Sequence, residues 1–121
     1  MRLHHVSLIV ADTAQALRFY RDLLGLEVDA TRPDLGYRGA WMKLGDAGIH
    51  LLQLPNPDSL TDRPTHGGRD RHIALQVDDL AAVKARLEAA GIAYSLSRSG
   101  RQALFCRDPD QNALELIGCT T

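Results

Sequence analysis

The stretch His5-Val6-Ser7-Leu8-Ile9-Val10-Ala11-Asp12 returns, 67 residues on, as His72-Ile73-Ala74-Leu75-Gln76-Val77-Asp78-Asp79. Aliphatic residues recur at every second position in both, which predicts strands over His4–Val10 and His72–Val77. In the first copy Val6, Leu8 and Val10 share one face, and His5, Ser7 and Ile9 share the other. In the second, His72, Ala74 and Gln76 lie opposite Ile73, Leu75 and Val77. A polar cap and a helix follow each strand. Asp12 or Thr13 opens a helix to about Leu24, with Ala16, Leu17, Phe19, Tyr20, Leu23 and Leu24 as its apolar stripe. Asp78-Asp79 opens another, carrying Leu80, Val83, Leu87 and Ala90. Gly25 and Gly91, 66 residues apart, end these helices in the position where a left-handed residue is favoured.

The similarity extends outward from these stretches. Strands are expected at Leu26–Thr31, Tyr37–Leu44 and Gly48–Leu54 in the first half. In the second half they are expected at Ile92–Leu96, Arg101–Cys106 and Asn112–Ile117, with turns at Ser99-Gly100 and Asp108-Pro109-Asp110-Gln111. His50 in Ile49-His50-Leu51-Leu52 and Glu115 in Leu114-Glu115-Leu116-Ile117 stand 65 residues apart in equivalent closing strands. Pro55-Asn56-Pro57-Asp58 interrupts regular structure, and the polar stretch to Asp70 reads as a connecting loop. The expected fold class is therefore α+β: two tandem βαβββ modules forming a curved mixed sheet with helices on its outer face. Module one spans 3–54, the linker 55–70 and module two 71–118, all within one domain over 1–121.

Composition narrows the function classes. The 121 residues are 45% hydrophobic and 24% charged, the profile of an ordinary globular domain with a real core. Fourteen basic residues against fifteen acidic leave no basic stripe for nucleic acid. The apolar run Val6–Ala11 is too short for a signal-peptide core or a membrane span, so a cytoplasmic location is expected. Cys106 and Cys119 are too few for a disulfide scaffold, and Cys106 has no evident base, so it reads as a small buried apolar residue.

Four polar residues sit among aliphatic neighbours in the first and last strands of the two modules: His5, His50, His72 and Glu115. On the face opposite the helices, three imidazoles and one carboxylate make a divalent-metal site of borderline and hard ligands. Gathering four ionisable groups without a cation would be costly, which is why the repeat carries more weight than any one histidine. His4 falls on the aliphatic face by parity, and His66 lies in the glycine-rich loop Thr65-His66-Gly67-Gly68. Ser7 and Gln76 share a face with His5 and His72 and are candidates to hydrogen-bond them.

His5-Val6-Ser7-Leu8-Ile9-Val10-Ala11-Asp12, with Phe19-Tyr20-Arg21-Asp22-Leu23-Leu24-Gly25-Leu26, resembles the opening of vicinal oxygen chelate proteins. That superfamily contains glyoxalase I, extradiol dioxygenases, methylmalonyl-CoA epimerase, and fosfomycin and bleomycin resistance proteins. The ending Arg107-Asp108-Pro109-Asp110-Gln111-Asn112-Ala113-Leu114-Glu115-Leu116 is similar to the close of its second module, with Gln111 where glycine is usual. The resemblance covers essentially the whole chain and is more specific for fold than for reaction. It implies metal ligation by His5, His50, His72 and Glu115. His50 is a departure, since glyoxalase I has a carboxylate there and the epimerase an amide.

The implied chemistry is chelation of two neighbouring substrate oxygens by a metal acting as a Lewis acid. Zn, Ni, Co, Fe and Mn all suit the ligand set. By resemblance Glu115 takes the role of catalytic base, with the plain ligand as its alternative. Arg98 and Arg101, flanking the Ser99-Gly100 turn, are candidates to bind a substrate carboxylate or phosphate, and Trp41 and Tyr37 to wall the pocket. The leading expectation is a glyoxalase-type metal-dependent lyase or isomerase acting on a small substrate with vicinal oxygens. The alternatives are a metal-dependent thiol transferase or dioxygenase, or a non-enzymatic ligand-binding protein of the bleomycin-resistance kind. A homodimer is also implied.

Overall fold

The computed structural model describes residues 1–119, which divide into two compact units, the first Met1–Asp58 and the second beginning at Ser59. In the first unit β1 (His5–Val10) leads into α1 (Thr13–Leu17), which continues as a wider π-type turn through Arg18–Leu23. β2 (Gly39–Leu44) and β3 (Ala47–Gln53) follow as a hairpin. The sheet order is β1-β3-β2, with β1 parallel to β3 and β2 antiparallel to it. In the second unit the elements are β4 (His72–Val77), α2 (Leu80–Ala89), β5 (Tyr94–Leu96), β6 (Ala103–Arg107) and β7 (Ala113–Gly118). Their order is β4-β7-β6-β5, with β4 parallel to β7 and the rest antiparallel. First strand beside last strand, then the next-to-last: both units use the same mixed arrangement, as the repeat requires.

Local chemistry explains the punctuation. Asp12 sits in extended conformation and its carboxylate accepts from Ala14 N; Asp79 accepts from Ala82 N at the start of α2. Gly25 and Gly91 have φ of +80° and +70°, conformations glycine adopts without a Cβ penalty. The helices cover the aliphatic faces of their own sheets. Ala16, Phe19 and Tyr20 are buried with Val10, Ile49, Leu51, Ala40 and Met42 in the first unit. Val83 and Leu87 are buried with Leu75, Leu104, Leu114 and Leu116 in the second.

Two expectations need correction. The strand foreseen at Leu26–Thr31 shrinks to an isolated bridge, Val28 to Met42, flanked by the bonds Asp29 N to Trp41 O and Lys43 N to Glu27 O. Asp29 Oδ1 accepts from both Thr31 N (3.0 Å) and Thr31 Oγ1 (2.7 Å), and this side-chain turn diverts the backbone from the ladder. The first helix is not uniform either, because Leu24 N reaches back five residues to Phe19 O. Among the described residues no helix is long and apolar enough to cross a membrane.

Candidate metal centre

In the first unit, register fixes which side chains meet. Ser7 and Trp41 both pair with His50 across the sheet, so β1, β3 and β2 present Ser7, His50 and Trp41 on one face, with His5 one pleat away. Val6, Leu8, Ile49 and Leu51 take the helix side. The His50 ring is layered between the indole of Trp41 (centroids 4.2 Å, 7°) and the ring of His5 (4.0 Å, 15°). Partial burial, then the neighbouring His5 and His4, hold the His50 pKa below its ordinary value and favour the neutral ring that a metal needs. His4 is exposed, and its Nδ1 lies 2.7 Å from His5 Nδ1, leaving His5 Nε2 as the nitrogen for a ligand. His4, not Ser7, is thus the partner that orients His5.

In the second unit, Ala74 and Phe105 pair with Glu115, so His72, Phe105 and Glu115 share the face away from α2. Glu115 is a buried carboxylate, 3% exposed. Oε1 lies 3.4 Å from His72 Nε2, and Oε2 accepts from Arg101 Nη2 at 3.0 Å. His72 Nδ1 sits 2.9 Å from the Asp70 carbonyl. A carbonyl only accepts, so Nδ1 carries a proton, and when the ring is neutral Nε2 turns its lone pair toward the carboxylate. In that state two acceptors face each other, an arrangement that a bound cation resolves. Two atoms bound about 2.1 Å from one tetrahedral ion lie about 3.4 Å apart, so the pair fits a metal, with the second imidazole nitrogen fixed by a carbonyl as metal-bound histidines usually are. That carbonyl takes the place expected for Gln76.

Asp70 is itself anchored. Its Oδ2 accepts from Arg63 Nε (2.9 Å) and Arg107 Nη1 (2.9 Å). Desolvation pushes its pKa up, but the bonds from Arg107 and Arg63 together outweigh that and hold it below the usual carboxylate range. Sequence reasoning missed Asp70; the one signal was an acid between arginines, two residues before a strand-opening histidine. Cys106 is buried and its thiol is pushed up to about 12, by desolvation first and by Asp108 second, so it is no nucleophile.

His72 and Glu115 open onto a cavity of about 360 Å³ that is also lined by Arg98, Arg101, Arg69 and His66. Arg98 and Arg69 have no acidic partner among the described residues, whereas Arg101 is committed to Glu115. Arg69 was not singled out in the sequence. Tyr37 lies under the guanidinium of Arg32, 5.3 Å from ring centroid to Cζ. Among the described residues neither unit gathers three or more His, Cys, Asp or Glu side chains around one point. Each supplies a pair: His5 with His50, and His72 with Glu115.

Comparison with known proteins agrees with this architecture. The chain is 33% identical over 123 residues to Glyoxylase I 4 of Arabidopsis thaliana, covering 97% of this chain and 70% of that one. It is 32% identical over 124 residues to the ethylmalonyl-CoA/methylmalonyl-CoA epimerase of Cereibacter sphaeroides, covering 92% and 91%. Its fold superposes with a TM-score of 0.74 and 21% identity on a variant of the fosfomycin resistance protein FosX from Listeria monocytogenes, over 98% of this chain and 92% of that one. That protein was complexed with Mn(II) and 1S,2S-dihydroxypropylphosphonic acid. A family model matches residues 2–116, and on that match, with the duplicated mixed sheets described above, the chain belongs to the glyoxalase/bleomycin resistance protein/dioxygenase superfamily.

Proposed function

We propose that this protein is a divalent-metal-dependent lyase or isomerase of the glyoxalase type, acting on a small substrate with two neighbouring oxygens. The ligands proposed for it are His5, His50, His72 and Glu115. The observation that carries this reading is the opposed pair His72 Nε2 and Glu115 Oε1, 3.4 Å apart, with the proton of His72 held on the other nitrogen by Asp70. When bound, a transition metal (Zn, Ni, Co, Fe or Mn) supplies a Lewis acid that polarises both substrate oxygens.

The chain's own residues do the rest. Glu115, buried and with Oε2 tied to Arg101, suits the ligand role better than the role of a mobile base. Arg101 fixes the carboxylate from its far side. Arg98, and beside it Arg69, offer guanidinium donors to an anionic end of the substrate, a carboxylate or phosphate. Trp41 holds His50 flat and walls that side of the sheet. These arginines also favour a second reading, opening of an epoxide that bears an anionic group, as the ligand of FosX suggests for that protein. By family membership we further propose a cytoplasmic homodimer without nucleic-acid or membrane partners.

The test is turnover by metal-loaded protein. Conversion of the hemithioacetal of methylglyoxal and glutathione, abolished by chelation and restored by metal, supports the first reading. Consumption of fosfomycin alone supports the second, and metal binding without either activity contradicts both.

A further inference from the structure

Resting on the isomerase reading above, we propose that His66 is the proton-transfer residue of the site. The sequence places it in a glycine-rich loop with no evident role. In the structure it is half-buried and lines the same cavity as His72 and Glu115. The edges or faces of both imidazoles meet the ring of Phe105, His66 at 4.8 Å and His72 at 5.2 Å between centroids. Phe105 thus touches both imidazoles, and His66, His72 and Glu115 line one cavity with it. Nδ1 of His66 is 2.7 Å from Ser95 Oγ, and Nε2 has no hydrogen-bond partner among the described residues. The free nitrogen belongs to a ring that is oriented, not loose.

Isomerisation next to a carbonyl needs a group that takes a proton from carbon and gives one back. Glu115 is assigned to the metal through Oε1, while its Oε2 accepts from Arg101. Cys106 is unsuited to it at any ordinary pH. His66 has the chemistry and the freedom. The carbon-bound proton passes to Nε2, the C–H electron pair becomes the C=C bond of an enolate, and the carbonyl π pair moves onto oxygen. The imidazolium then returns a proton to carbon, the electrons collapse back, and no other reactant is consumed. Ser95 suits both states, because Nδ1 carries its proton in each and the hydroxyl oxygen accepts from it throughout, which keeps the lone pair of the neutral ring on Nε2.

Gly68 supplies a means of moving the ring without removing it. A Cβ there would stand 2.9 Å from His66 Nε2 and 3.2 Å from Cδ2, so alanine must push the imidazole aside.

The experiment is solvent exchange in D2O, followed by loss of the substrate C–H signal in the proton NMR spectrum. Its probes are dihydroxyacetone and the hemithioacetal of methylglyoxal and glutathione. Wild type, His66→Gln and Gly68→Ala are metal-loaded, checked for thermal unfolding, and assayed for bound metal. We expect wild-type exchange to fall at least 100-fold in His66→Gln and clearly in Gly68→Ala, with metal content unchanged in both. Exchange that survives in both variants overturns the role of His66 and leaves the isomerase reading intact. Metal lost from folded His66→Gln overturns it by making His66 a ligand. A metal-loaded wild type that exchanges neither probe overturns both readings together.

Discussion

Replacing Glu115 with glutamine separates what the carboxylate does for the fold from what it does for a metal. Glu115 is 3% exposed, so its charge is held largely out of water. Its one formal cation, Arg101, has a side chain 58% exposed, and solvent screening limits that ion pair to at most about 1 kcal/mol. Glutamine keeps the shape and meets both neighbours: its carbonyl oxygen accepts from Arg101, and its amide donates to the lone pair of His72 Nε2. Metal-free Glu115→Gln should therefore be as stable as metal-free wild type, or up to about 1 kcal/mol more stable. With metal the order reverses. A ligand present at 100 times its Kd stabilises wild type by about 2.7 kcal/mol. Losing a ligating charge costs at least the roughly 100-fold in affinity seen for supporting groups. At the same metal concentration the variant then gains only about 0.4 kcal/mol. At about 4 °C per kcal/mol for a chain of this size, metal raises the wild-type midpoint by about 11 °C and the variant's by about 2 °C. Thermal unfolding of both proteins after chelation, and again with added Zn or Mn, reads all four midpoints. Equal metal-induced shifts, or a metal-free variant several kcal/mol less stable than wild type, would refute the reasoning by making Glu115 a structural clamp.

Gln111 sits at φ +68°, where a Cβ is penalised, so Gln111→Gly should raise stability by about 1 kcal/mol, read as a higher denaturation midpoint with metal binding unchanged. Asp70 has a lowered pKa in the folded state, so the folded protein binds its proton less readily than the unfolded chain. Its contribution is complete above the ordinary carboxylate range and disappears as pH falls through the folded value. Asp70→Asn should cost about 1–3 kcal/mol at neutral pH and flatten the acid limb of a stability-versus-pH curve. Arg98→Ala should raise KM for an anionic substrate about 10- to 100-fold and leave kcat and metal content near wild type, as steady-state kinetics would show.

Much of the fold was legible because its signals are local and doubled. Alternation in β1 and β4, the carboxylates of Asp12 and Asp79, and the left-handed Gly25 and Gly91 each specify one element without help from afar. The Leu26–Thr31 segment failed for an equally local reason: Asp29 turned its side chain back on Thr31, a choice that strand propensity does not encode. Over a single turn, apolar spacing does not distinguish the π-type winding at Phe19 from an ordinary helix.

The candidate site was legible as a set of residues and not as a set of contacts. Recurrence singled out His5, His50, His72 and Glu115, but the groups that orient them carry no such mark. Asp70 acts on His72 through its backbone carbonyl, which any residue possesses. Arg101, expected on substrate, precedes β6 and reaches Glu115 through its long side chain, off the strand register that pairs Glu115 with Phe105, and no sequence pattern encodes that reach. His66 reaches the cavity through the return of its loop over Gly68 and the partner Ser95, 29 residues away.

Elemental analysis of the purified protein, beside His5→Ala, His72→Ala and Glu115→Gln, tests the central claim most directly. The account predicts about one transition-metal ion per chain in wild type and its loss or sharp depletion in each variant. Wild type that holds no metal after reloading with Zn, Ni, Co, Mn and Fe, or variants that retain it in full, would contradict the account.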